Sequence, residues 1–179
     1  AYVRRDGTPL CCHAIGSLLD ADNPAAGTVW LFEDITARRA TEAALLQSNR
    51  EHQLIFENAL IGIAYHRNRV ILRCNPRFEE ILGYGPGELV GKSTRVYYAS
   101  DEEWEQMGRR VFAEDADLHR FEDEVRFQKR DGTPIWVHVI GRTVDSHEGL
   151  TWIWTYEDVT ARRAAEEALA KTIGEYALI

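Results

Sequence analysis

Residues 5–16, RDGTPLCCHAIG, return almost unchanged as RDGTPIWVHVIG at residues 130–141. WLFEDITARRATEAAL at 30–45 returns in the same way as WTYEDVTARRAAEEAL at 154–169. The first pair is separated by 125 residues and the second by 124, so the connections between the blocks differ by one residue. A period this long belongs to whole domains in tandem, not to a solenoid. The repeat therefore predicts a complete copy over residues 50–160 and, in residues 1–36, the C-terminal strands of a preceding copy. Residues 37–60 form a helical linker between them, and residues 161–179 a helix that leaves the complete copy. The first residues carry no initiator Met and no apolar signal segment, so the chain reads as part of a longer protein.

Within the complete copy, hydrophobic alternation at period two marks strands. Phe121, Asp123, Val125 and Phe127 share one face of the run that ends at Gln128. Asp131-Gly132 is a turn signal, because glycine accepts a positive φ. After the turn, Ile135, Val137 and Val139 alternate with Trp136, His138 and Ile140. A third run from Leu150 to Val159 carries Trp152, Trp154 and Tyr156 on one face and Thr151, Ile153 and Thr155 on the other. Three such runs make an antiparallel meander that is apolar on both faces, so both faces need cover. Upstream, Ile61–His66 and Arg69–Arg73 read as a hairpin around Arg67-Asn68. Pro76 opens a short helix, Gly83–Gly91 is a glycine-rich connection, and Ser100 caps a helix over Asp101–Phe112. Strands and helices are segregated rather than alternating, which defines an α+β domain.

The segments after each Asp-x-Thr are rich in Ala, Glu, Arg and Leu and read as helices. Ala165, Leu169, Thr172, Tyr176 and Ile179 fall at alternating spacings of four and three, as do Thr41, Leu45, Ser48, His52 and Ile55. The pattern fits a short heptad seam between chains or an amphipathic helix laid on its own sheet.

Composition narrows the functional classes. Lys plus Arg number 21 and Asp plus Glu 29, a net charge of −8, which repels a phosphate backbone and argues against nucleic acid as partner. No apolar run is long enough to span a bilayer, so no membrane contact is expected within these residues. Three cysteines, two of them adjacent at Cys11 and Cys12, make no disulfide framework and fit a reducing, cytoplasmic compartment.

With these residues in view, residues 50–160 resemble a PAS domain with its C-terminal PAC segment. The similarity is carried by ENALIGIAYHRN, CNPRFEEILGYGPGELVGK, RFEDEVRFQKRDGTPIWVHVIG and WTYEDVTARR. Asp158-Val159-Thr160, echoed by Asp34-Ile35-Thr36, is similar to the Asp-Ile-Thr signature that closes many PAS modules before a signalling helix. The resemblance implies a five-stranded antiparallel sheet with short helices on one face, flanked by N- and C-terminal signalling helices. It also implies a non-enzymatic sensory and dimerisation module that passes a signal to a downstream output domain, such as a diguanylate cyclase or a histidine kinase. By the same analogy the pocket face of the sheet carries Val125, Phe127, Val137, Val139, Trp154 and Tyr156. Aromatics of that size can fill a small pocket outright, so a packed core is expected ahead of a small hydrophobic ligand.

At the junction, the Thr160 hydroxyl is expected to cap the helix that follows, as is Thr36 in the first copy. Asp158 with Arg162, and Asp34 with Arg38, stand at the i, i+4 spacing that lets them pair. The outer face, with Trp136, His138, Ile140 and Ile153, would be a bare apolar patch. Leu54 and Phe56 of the preceding helix, from the same chain or from a second copy in a homodimer, are its expected cover. The first-copy hairpin, with Leu10, Cys12, Ala14, Trp30 and Phe32, is likewise expected to dock on the complete domain or on a partner chain.

Other chemistry finds little purchase. Gly83–Gly91 follows a helix rather than a strand and has Pro86 where a phosphate loop needs glycine. Cys11-Cys12-His13 lacks a second pair at zinc spacing, so no metal is expected. A haem or flavin sensor is the alternative reading. His119, just past the long helix, is its one haem ligand candidate, and Cys74, followed by Asn75-Pro76, does not match a flavin-adduct motif. No nucleophile with a partner base stands out, and an enzyme is not expected.

Overall fold

A computed structural model describes residues 2–112 apart from 20, 21, 24 and 26, then 120–144 and 151–176, the last three by backbone alone. The chain divides into two compact units, Ala1–Gln53 and Leu54–Ile179. The first holds strands β1 (Tyr2–Val3), β2 (Pro9–Leu10), β3 (Cys12–Leu18) and β4 (Thr28–Asp34), followed by most of helix α1 (Thr36–Glu57). The second holds β5 (Gly62–Arg67), β6 (Val70–Cys74), α2 (Pro76–Leu82), a 3-10 turn at Thr94–Tyr97, α3 (Asp101–Val111), β7 (Arg120–Gln128), β8 (Pro134–Val144), β9 (Thr151–Asp158) and α4 (Thr160–Tyr176).

Strands β5 to β9 form one antiparallel sheet in the order β6-β5-β9-β8-β7. The expected hairpin turn sits one residue later than its sequence reading, on Asn68 and Arg69, whose φ values of 51° and 63° are both left-handed. A two-residue hairpin of primed type needs positive φ at both central positions, which asparagine tolerates well and arginine does not. The Arg69 guanidinium offsets that cost by stacking on the Trp104 ring at 3.6 Å and donating to the Trp104 carbonyl. At the far end of the meander, Lys129 and Gly132 close the turn with a 2.9 Å bond from the Gly132 amide to the Lys129 carbonyl, Gly132 having a φ of 88°.

The core lies between one face of this sheet and the short helices. Phe78 of α2 meets Tyr156 at a ring-centre distance of 4.3 Å, and Tyr97 of the 3-10 turn meets Phe127 at 4.7 Å. Burying an apolar side chain of this size stabilises the fold by about 1.5–3 kcal/mol. One buried polar group organises the whole layer. Asn75 Oδ1 accepts from the Ile63 amide at 2.8 Å and the Phe78 amide at 3.1 Å, so it both caps α2 and holds β5. Its Nδ2 donates to the carbonyls of Phe56 at 3.1 Å and Ile61 at 3.0 Å, fixing the C-terminal turn of α1.

The glycine-rich connection is also held by a carboxylate. Buried Glu79 accepts from the Gly87 amide at 3.0 Å and the Leu89 amide at 3.3 Å, and Glu88 accepts from Gly85 at 2.7 Å. Those amides face acids, the opposite of an anion-binding loop.

The first unit repeats part of this plan. The β3–β4 ladder pairs Ala14 with Phe32 and Gly16 with Trp30, the positions that correspond to Val139 with Tyr156 and Gly141 with Trp154. Within this unit, Trp30 is 58% and Phe32 53% exposed, and Leu31 on the opposite face 66%.

Replacing Asn75 with Ala removes the side-chain partner of two amides and two carbonyls, of which the Phe78 amide alone keeps another bond, at 3.1 Å to the Asn75 carbonyl. Urea unfolding is expected to show a loss of roughly 3 kcal/mol or more. A loss below about 1 kcal/mol would show that the four bonds are not what holds α1, β5 and α2 together.

Candidate functional site

A cavity of about 110 Å³ lies between α3 and the inner face of the sheet. Phe127, Val139, Trp154 and Tyr156 line it, four of the six residues assigned to a pocket from the sequence. Val137 is fully buried in the core but does not reach the cavity, and Val125, half-buried, lines a separate surface depression with Met107 and Arg110. The aromatics therefore do not fill the space, contrary to the expectation of a packed core. They stack against one another and leave a void: Trp152 and Trp154 sit 5.3 Å apart at 24°.

Gly141 makes that arrangement fit. A Cβ there would come within 2.7 Å of the Trp154 ring, and Gly16 stands in the same relation to Trp30 at 2.9 Å. Each copy thus carries a glycine that gives its tryptophan room to lie flat on the sheet.

Sequence reasoning missed His66 and Trp152. Trp152 sits at the inner-face period of Trp154 and Tyr156, so its signal was present. His66 shares a face with Ala64, a signal that only the pairing of β5 with β9 turns into a position in the cavity. His66 is 5% and Trp152 4% exposed, and they are direct cross-strand partners. Among the described residues, His66 Nε2 and Trp152 Nε1 are buried with no hydrogen-bond partner. An unmet buried polar group of this kind costs roughly 1–3 kcal/mol. Burial also pushes the His66 pKa down to about 3, so the ring is neutral at physiological pH. The Tyr97 and Tyr156 rings lie edge to face 6.4 Å apart, and burial holds both phenols well above the ordinary tyrosine range. Burial, together with the Glu79 carboxylate, drives the Cys74 thiol up to about 12, which makes it a poor nucleophile.

The cavity strands end at the junction with α4. Asp158 Oδ1 accepts from the Thr160 amide at 3.0 Å, and the Val159 amide donates to the Trp136 carbonyl at 2.9 Å. The Thr160 hydroxyl accepts from the Trp136 amide at 2.9 Å, so it grips the neighbouring strand rather than capping its own helix as expected. The first copy has the same clamp: Thr36 Oγ1 takes the Cys11 amide at 3.0 Å, and Asp34 Oδ1 takes the Thr36 amide at 2.9 Å. Those bonds from Thr36, with Arg4 beside it, hold the Asp34 carboxyl down at about 2.

The expected pairs within each junction do not form, because each aspartate is turned back onto its own threonine. Arg162 instead meets Glu124 of β7 at 2.6 Å and Glu166 at 3.5 Å, and Arg38 meets Glu42 at 2.9 Å. Arg163 reaches Glu124 at 3.2 Å and lies over the Trp136 ring at 3.9 Å. The first turn of α4 is thus tied to β7 and β8 together.

The outer face is covered in part by charged side chains rather than by the expected helix alone. Trp136, His138, Ile140 and Ile153 are half-buried, and acids interleave with them: His138 lies 3.2 Å from Glu122 and 4.0 Å from Glu157. Of the expected cover, Phe56 alone reaches the sheet, 6.1 Å from Tyr65 and under the Arg73 guanidinium, while Leu54 is 59% exposed. Both flanking helices leave apolar side chains in solvent, Leu45 and Leu169 among them. The last heptad position, Ile179, and the haem candidate His119 lie outside the described residues. Among the described residues no cluster of His, Cys, Asp and Glu is suited to hold a metal, and no helix is long and apolar enough to cross a membrane.

A five-stranded antiparallel sheet that cups a small cavity beneath a helix, and ends in a clamped outgoing helix, defines a sensory α+β module. The PAS domain family model matches residues 57–161, and the chain belongs to that family. The sensor protein TdiS of Thauera aromatica is 37% identical over 125 residues, which is 68% of this chain. The match spans only 22% of that relative's length. Among solved structures, the PAS domain of a LuxR-family transcriptional regulator from Burkholderia thailandensis, in complex with ethanol, is 30% identical with a TM-score of 0.55. That match covers 60% of this chain and 96% of the other. The PAS domain of an HTR-like protein from Haloarcula marismortui shares the fold, at 24% identity and a TM-score of 0.56 over 67% of this chain and 98% of its own.

The His66 pKa sets a measurable pH dependence. Between its ordinary value of 6.5 and about 3, the unfolded chain binds a proton that the folded chain refuses, so stability falls as pH falls through that window. Relative to wild type, His66→Leu is expected to lose about 2 kcal/mol less stability between pH 7 and pH 5 in urea unfolding. Parallel pH profiles for the two proteins would place His66 in solvent.

Proposed function

We propose that this domain is a non-enzymatic small-molecule sensor that reports the state of its cavity through helix α4 to a downstream output module. The observation that carries the reading is that the cavity and the α4 clamp share strands. Tyr156 lines the cavity two residues before Asp158 on β9, and Val139 lines it three residues after Trp136 on β8. A side chain displaced by a ligand therefore moves the backbone that Val159 and Thr160 hold. Surface bonds such as those of Arg162 contribute only about 0–1 kcal/mol each, a scale on which modest changes shift populations between two helix settings.

The cavity is comparable to the roughly 150 Å³ void that takes up a single benzene ring in another protein. That size favours a small organic ligand over a flavin or a haem, and the ethanol held by the Burkholderia relative belongs to the same size class. By the family resemblance, the output is a histidine kinase or a diguanylate cyclase, and three free thiols suit a cytoplasmic setting. Residues 1–36 are then the last strands of a preceding PAS copy. Their duplicated clamp makes α1 the outgoing helix of that copy and the incoming helix of the next, so two sensors stand in series. The apolar residues left exposed on α1 and α4 suit pairing of two chains along both helices in a homodimer.

Val111→Phe places a ring in the cavity from α3 and imitates an occupied state. Amide exchange at Val159 and Arg163 is expected to change severalfold in this variant. Change confined to the cavity walls would overturn the relay. Sedimentation is expected to show a dimer at micromolar concentration, and a monomer there would remove the helix-pairing part of the reading.

A further inference from the structure

Resting on the reading of the cavity as a sensory site, we propose that its ligand is a small neutral hydroxyl compound, an alcohol or phenol of at most one ring, held between Trp152 Nε1 and His66 Nε2. The two residues face each other across the β5–β9 ladder, and both line the cavity. Directly opposed residues in such a ladder have Cβ atoms about 5 Å apart, close enough for both rings to address one ligand atom. Both nitrogens are buried without a hydrogen-bond partner among the described residues.

Their chemistry selects the group that completes them. An indole nitrogen only donates, and a neutral imidazole can present an accepting nitrogen. A hydroxyl oxygen does both: it accepts from Trp152 and donates to His66. A hydrocarbon of the same size leaves both nitrogens unmet. A carboxylate brings a charge and no proton to donate, and burial keeps His66 from supplying the opposing cation. The guanidinium that lines the cavity, Arg69, is already stacked on the Trp104 ring and bonded to the Trp104 carbonyl. The remaining walls, Phe127, Val139 and Met107 among them, suit an apolar body behind the hydroxyl.

The test is calorimetric titration of the full chain at pH 7 with benzene, phenol and benzoate, a series that holds the ring constant and changes only the group. Phenol is expected to bind about tenfold more tightly than benzene, the scale of one to two net hydrogen bonds, and more tightly than benzoate. Trp152→Phe and His66→Leu are each expected to erase most of the preference for phenol over benzene, read as the ratio of the two affinities in the same variant. Equal binding of benzene and phenol would overturn the hydroxyl clamp and leave the cavity reading standing. Preference for benzoate would overturn it in favour of an anion site at Arg69. If none of the three binds while Val111→Phe still alters exchange at α4, the ligand class is wrong and the relay stands. If neither effect is seen, the sensory reading falls with it.

Discussion

The interior of the domain hangs on Asn75. Its side chain, itself fully buried, meets four backbone groups from α1, from the segment that follows it, from β5 and from α2. Those bonds fix where α1 ends, where β5 starts and how α2 leaves the sheet. With α2 placed, Phe78 lies on Tyr156, and Glu79 gathers the amides of the connection that follows. The 3-10 turn and α3 then close over the sheet in one way. A buried amide that is both cap and crosslink is costly to move, and through Phe78 it gives Tyr156 and the inner face of the sheet a fixed floor.

Above that floor the domain is less complete. Hydrophobic burial and aromatic stacking account for most of the inner face, yet His66 and Trp152 line the cavity and each carries a buried, unmet nitrogen. Such groups are destabilising as they stand and become favourable when a partner arrives. Stability withheld at the cavity is therefore available to binding. The clamp at Asp158-Val159-Thr160 is the counterpart: fully bonded, duplicated in the first copy, and built on the strands that line the cavity. One end of the sheet is unsatisfied and the other satisfied, and β8 and β9 run from the first to the second.

Much of this was legible in the residues. The two-residue period over 121–159 places Phe127, Val139, Trp154 and Tyr156 on one face, and the structure puts all four at the cavity. The Asp131-Gly132 turn, the Pro76 helix start and the Ser100 cap follow from local chemistry and occur where that chemistry puts them. The misses have two causes, one local and one not. Asp158 and Arg162 have the spacing of a helix pair, but the Thr160 amide, two residues on, takes the aspartate first, and Glu124 of the distant strand β7 takes the arginine. The outer face reads as apolar along β8 alone, and Glu122 and Glu157 reach it from the neighbouring strands. His66 carries no signal of its own until β5 is paired with β9.

The sequence by itself determined that the closing strands occur twice, that they carry large apolar side chains on alternate positions, and that a helix follows each Asp-x-Thr. These are properties of local periodicity and of short segments compared with one another. Only the tertiary structure decided that the aromatics leave a cavity, that a histidine and a tryptophan face it without partners, and that each threonine grips the adjacent strand. Those facts depend on which strand lies beside which and in what register. Hydrogen-bond pairing between segments as distant as β5 and β9 settles that, and no single stretch of chain contains it.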